Sequence, residues 1–151
     1  MMSSKAKYGI HALIYLTRRY GKGPILIAKM AEDKKIPKKF LEAILLELKN
    51  QGILISKKGK GGGYELAKDP TAIKIGQVIR ILDGPIAPVP CVSQTAHRQC
   101  DECPHEDICA ISFVMKNVRE AIANILDKTS LAELSKNEQR LSESVTASYN
   151  I

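Results

Sequence analysis

The sequence predicts a mostly α fold with one small β-hairpin and a long helix towards its C-terminal end. Amphipathic segments separated by Gly and Pro fill the first fifty residues. Four glycines and three lysines fall within the seven residues Lys57 to Gly63, between two short extended runs. Ile111, Met115, Val118, Ile122 and Ile125 recur at steps of four and three, the signature of a long helix. Apolar residues make up 44% of the chain and aromatics only 5%, with no Trp, so the core must rest on Ile, Leu and Val, which suits packed helices. At 151 residues the chain holds one domain, or one small domain with an appended element.

Ser3 to Tyr20 reads as a first helix with Ala6, Ile10, Leu13 and Ile14 on one side, ended by Gly21-Lys22-Gly23-Pro24. A short helix from about Ile25 to Lys34 carries Ile27, Met30 and Ala31 and stops before Ile36-Pro37. Pro37 opens a third helix to Asn50, in which Leu41, Ile44, Leu45 and Leu48 stand at i, i+3, i+4 and i+7, leaving the other face free. After Gln51-Gly52, the runs Ile53 to Ser56 and Tyr64 to Ala67 read as two strands around the glycine and lysine loop. Three helices and a hairpin, in that order, make a winged helix-turn-helix, the hairpin being the β-wing. Ile75 to Leu82 reads as a further helix, and Pro85, Pro88 and Pro90 stiffen a connector. The long helix then runs from Asp107 to Lys128. Its seven-residue repeat calls for a partner, either its own domain or the same helix of a second subunit. From Ser135 to Ile151 the chain turns polar and reads as a flexible tail.

Charge divides the chain. Residues 1–64 hold fourteen Lys/Arg against four acids, a net +10, while the remainder carries −3. A basic N-terminal half suits a polyanion, with counterion release supplying affinity, although a lysine face kept for solubility is the plainer reading. The glycine loop fits a groove-facing hairpin better than a nucleotide-binding loop, because a phosphate loop leads from strand into helix, whereas Tyr64-Glu65-Leu66 is extended.

All four cysteines, Cys91, Cys100, Cys103 and Cys109, fall in one polar stretch. No export signal or membrane-spanning run is evident, so a reducing cytoplasm is expected, where clustered thiols bind metals or do redox chemistry more often than they form disulfides. Four thiolates satisfy an iron-sulfur cluster, and equally tetrahedral zinc, though spacings of eight, two and five lack the usual pair of short zinc chelates. A thiol oxidoreductase built on Cys100 and Cys103 is the enzymatic alternative; it needs a strand-helix-strand setting that the pattern does not supply.

The stretch Pro37 to Leu48, Gly52-Ile53-Leu54, Ser56 to Leu66 with its glycine-rich loop followed by Tyr64, Ile79 to Pro85, and Cys91 together resemble the Rrf2 family of bacterial transcription regulators, over nearly everything from Lys5 to Leu134. The resemblance implies a homodimeric, non-enzymatic winged-helix protein that reads palindromic double-stranded DNA, with the third helix in the major groove and the wing near the minor groove. The implied organisation is a DNA-binding domain over residues 1–84, a connector and cysteine-rich sensor loop over 85–109, a dimerisation helix with a short C-terminal helix over 110–134, and a flexible tail over 135–151. It also implies an iron-sulfur cluster held by three cysteines near the dimer helix, matched here by Cys91, Cys103 and Cys109.

Two features depart from the family. Some members place a histidine three residues after the last cysteine, where this chain has Ser112, and others use an N-terminal acid, yet no acid precedes Glu32. Cys100, two residues from Cys103, is therefore the candidate fourth ligand, with His97 and His105 as weaker ones. For DNA, Lys38 and Lys39 occupy the first turn of the third helix, and Lys57, Lys58, Lys60, Gly61 and Gly62 the wing. Family members commonly carry Arg where Lys58 stands. Lysine lacks the planar fork, which favours a phosphate contact over minor-groove reading.

Overall fold

The structure, a computed structural model, describes residues 2–150. Helix α1 (Ser4–Thr17) runs through the centre of the N-terminal half, started by Ser3, whose hydroxyl accepts from the Ala6 N–H. Ala6, Ala12, Leu13 and Leu16 are fully buried among α3 (Lys38–Asn50), α4 (Ile75–Asp83) and α6 (Leu131–Tyr149). Gly9 faces α4, and a methyl there would strike Leu82, so glycine sets how closely the two helices approach.

Helix α2 (Ile27–Lys34) begins two residues later than the periodicity suggests. Ile25 is held instead in an antiparallel bridge with Tyr64, each donating its N–H to the other's carbonyl at 2.9 Å. The turn into α3 places Lys35 in the left-handed region at φ 53°. Helix α3 (Lys38–Asn50), capped by Pro37, buries Leu41, Ile44, Leu45 and Leu48 as its spacing predicts. Strands β1 (Leu54–Lys57) and β2 (Gly63–Leu66) pair antiparallel, Leu54 opposite Leu66 and Lys57 opposite Gly63. A 3₁₀ turn at Pro70–Ala72 leads to α4 (Ile75–Asp83), whose Ile75, Val78, Ile79 and Leu82 complete the core.

Two more 3₁₀ turns, Pro90–Val92 and Glu106–Ile108, bracket the cysteine segment. The second turn delays α5, which runs from Ala110 to Lys128 rather than from Asp107. Ser112 is the buried residue on α5; the predicted apolar stripe is unevenly covered, Ile111 and Ile125 being 67% and 66% exposed, Val118 and Ile122 36% and 39%, and Met115 half-buried. Arg80 of α4 grips Asp127 of α5 through two hydrogen bonds of 2.6 and 2.9 Å. Gly76 makes room for that carboxylate, since a methyl there would overlap Asp127.

The expected flexible tail is corrected: α6 spans Leu131–Tyr149. Ser130 and Glu133 form a reciprocal capping box at its start, and Lys136, Glu138, Gln139 and Arg140 that follow are good helix formers. Its first turns pack on α1 and on the Pro70–Ala72 turn, burying Leu131 completely. Glu138 reaches back to Arg18 at 2.7 Å, with Lys34 at 3.9 Å. Beyond Gln139 the helix stands exposed. Among the described residues no helix is long and apolar enough to cross a membrane.

Candidate nucleic-acid interface and thiol site

The side of α3 opposite its buried stripe carries Lys38, Lys39, Glu42 and Lys49, all exposed. Lys38, Glu42 and Lys49 face one groove of about 450 Å³, whose opposite wall is the wing from Ser56 to Gly59 and whose floor includes Leu26 to Ala28 at the start of α2. Lys57 and Lys58 line it from the wing side. Lys57 lies 3.7 Å from Glu65, with its side chain 63% exposed. Lys60 and Gly61 sit at the exposed wing tip.

Gly62 lines the same groove, and a side chain there would overlap the Lys57 carbonyl, so glycine also lets the hairpin close. Gly63 presses the wing against the entry to α2, where a methyl would overlap the Ile25 carbonyl, at φ 144°. Lys49 escaped the sequence reading. Its signal was the spacing 38, 42, 49, which returns to one helical face after three turns.

The cysteine segment is folded back on α5. Cys91 is buried in the Pro90–Val92 turn. Arg119 of α5 donates to the Val92 carbonyl at 2.6 Å, which fastens that turn to the helix. Arg98 N–H returns to the Pro90 carbonyl at 3.3 Å, and His97 meets Glu106 at 2.8 Å. The side-chain amide of Gln99 donates to the Cys103 carbonyl at 2.9 Å.

Cys109 is the N-cap of α5, its sulfur accepting the Ser112 N–H at 3.4 Å. That hydrogen bond, helped by one from Cys103, holds the Cys109 thiol below its ordinary pKa and favours a thiolate at the helix's positive end. Cys103 is raised, chiefly by its hydrogen bond with Cys109 and then by burial. Cys100 is raised by the same kind of contact with Cys91, and again by burial. Cys91 thus neighbours Cys100 and Cys103 neighbours Cys109, with Cys91 also close enough to be felt at Cys103. Among the described residues no three His, Cys, Asp or Glu side chains converge as a ready metal site.

Residues 2–137 match the family described as Rrf2, iron-dependent transcriptional regulator. The chain belongs to the Rrf2 family. It is 37% identical over 137 residues to an rrf2-like HTH-type transcriptional regulator of Rhodobacter capsulatus, covering 89% of this chain and 91% of that one. It is 29% identical to the HTH-type transcriptional regulator IscR of Yersinia enterocolitica, covering 93% and 82%. The solved structure of CymR, the global cysteine regulator of B. subtilis, superimposes with a TM-score of 0.75 at 32% identity, covering 91% of this chain and 97% of that chain. The fold is therefore that of the winged-helix regulators, and the protein is a transcriptional regulator, not an enzyme.

Within this Rrf2 chain the donor set fits a sulfur-seeking group: four thiols in one segment, one of them drawn towards thiolate by a helix end. Of the weaker candidates, His97 is already engaged by Glu106. Arg119, which sequence reading left unassigned, is the link between the Cys91 turn and the long helix; a lone Arg in a helix carries no sequence signal of that role.

Proposed function

We propose that the chain is a homodimeric repressor that grips palindromic operator DNA through α3 and the wing, with affinity set by an iron-sulfur cluster or thiol state at the cysteine segment. The observation that carries the DNA reading is the single groove in which the α3 lysines meet the wing lysines. Lys38 and Lys39 are placed for base edges or flanking phosphates, and Lys57, Lys58 and Lys60 for phosphates, with Gly61 allowing close approach. The exposed part of the α5 stripe supports self-association, because the chain itself leaves Ile111 and Ile125 largely uncovered. In this reading residues 1–84 are the reading head, 85–109 the sensor, and α5 the dimer axis.

Cys91, Cys103 and Cys109, with Cys100 as fourth donor, would hold the cluster, which supplies a sulfur-bound iron centre that oxidants, nitric oxide or iron shortage can dismantle. The coupling lies in this chain's own residues. Cys109 starts α5, and Arg119 ties the Cys91 turn to the same helix, so ordering the segment fixes the helix that spaces the two heads.

A zinc-bound or metal-free thiol regulator is the second reading, supported by the likeness to CymR, the global cysteine regulator of B. subtilis. Anaerobic purification separates them. Brown protein with stoichiometric iron and sulfide supports the cluster, and colourless protein with bound zinc, or with neither, supports the second reading. A gel shift on the chain's own upstream DNA tests the function itself: retarded complexes whose stability changes on removing the bound group are expected, and no complex even at low salt would sink it.

A further inference from the structure

Ser112 is the one side chain among the described residues whose buried polar atom has no hydrogen-bond partner. It is only 2% exposed, out of reach of bulk solvent. Hydroxyls elsewhere pass their proton back one helical turn: Thr17 to the Leu13 carbonyl, Thr129 to Ile125, Thr146 to Ser142 and Ser148 to Ser144. Ser112 stands in the first turn of α5, and the residue four back, Ile108, belongs to the preceding 3₁₀ turn, where no such bond forms. Buried hydroxyls without a partner are rare and a net cost to the fold, which points to an acceptor that is supplied from outside the polypeptide. The backbone of the same residue already donates to the Cys109 sulfur at 3.4 Å.

We propose that the Ser112 hydroxyl is a hydrogen-bond donor to the sulfur-bound iron group held at Cys109, acting beside its own N–H. The inference rests on the cluster reading above. The N–H already serves the Cys109 sulfur, so the hydroxyl would serve another sulfur of the bound group; a donor there withdraws charge from it, which raises the reduction potential and slows loss of the group. Ser112 is in this sense a positioning and tuning residue, with no redox step of its own.

The test compares wild type and Ser112→Ala as the whole 151-residue chain, metal-free and after anaerobic loading with ferric iron, a thiol reductant and sulfide. Removing an unpartnered hydroxyl should leave the metal-free melting temperature unchanged or raised. The loaded variant should show a more negative reduction potential and lose its visible absorbance in air about tenfold faster, the scale at which outer partners of metal ligands act. Identical potential and decay in the two loaded proteins would overturn the proposal. So would a lowered metal-free melting temperature, since the hydroxyl would then be partnered within the fold. A wild type that takes up neither iron nor sulfide, or only zinc, removes the cluster reading and this inference with it, a result distinct from the other two.

Discussion

Gly63 and Gly61 lie two residues apart in the wing, and only one of them is pressed against another segment. Gly61 has open space around its Cα at φ 77°, whereas Gly63 abuts the Ile25 carbonyl at the bridge that locks the wing to α2. Gly61→Ala should cost about 1 kcal/mol, the left-handed penalty for an L-residue. Gly63→Ala should cost about 3 kcal/mol, because strain at an unfavourable φ adds to loss of the Ile25–Tyr64 bridge. Urea unfolding midpoints at constant slope measure both, and equal losses would mean that close approach is not what Gly63 provides. The lysines answer a different assay. Lys58→Ala and Lys60→Ala should weaken binding to specific and unrelated duplexes alike, and each should flatten the salt dependence by about one unit of slope. Unchanged binding would remove the wing from the contact surface.

At the scale of elements, local pattern and non-local pairing account for what could and could not be read from the chain. Helix α3 was legible because four apolar residues at helical spacing follow a proline that suits its start, and nothing distant interferes. The first residues of α2 were misassigned because Ile25 is claimed by Tyr64, which lies on a different element. Helix α6 runs far past the short C-terminal helix expected to end at Leu134, because its apolar residues are sparse while the Ser130–Glu133 capping box fixes its start. The lysine face and the thiol segment were visible in composition, but the pairing of thiols and the Arg119 tie depend on how the segment folds back.

The joint between α4 and α5 is one such non-local contact, and it titrates. Hydrogen bonding from Arg80 holds the Asp127 carboxyl below its usual range. A lowered folded-state value stabilises above the unfolded value near pH 4 and is lost as pH falls through the folded one. Asp127→Asn should therefore cost about 0.5 kcal/mol at pH 7, discounted because the carboxylate is 44% exposed, and the difference should shrink to nothing at about pH 2. Paired urea titrations at the two pH values check it. A difference that persisted in acid would assign the effect to packing against Gly76.

Across the whole molecule, the basic charge and the exposed apolar stripe of α5 lie on different parts of the chain. Residues 1–64 carry the net +10, and the stripe of α5 borders a cleft shared with Ile79 and the Pro85 to Pro88 connector. A single head with lysine contacts alone binds DNA weakly and without preference. Two heads held at fixed spacing convert the second engagement into an intramolecular one, which multiplies affinity about 10² to 10⁴-fold without any new contact. Ile122 is 39% exposed in the isolated chain, so a charge there spares the core and falls on the proposed seam. Ile122→Glu should yield a folded monomer by sedimentation, with the wild-type circular dichroism spectrum, and operator affinity should fall about a hundredfold or more while non-specific binding per chain stays. A variant that kept both the wild-type mass and its operator affinity would show that α5 is not the axis joining the heads. The coupling from cysteine segment to operator would then have to run within one chain.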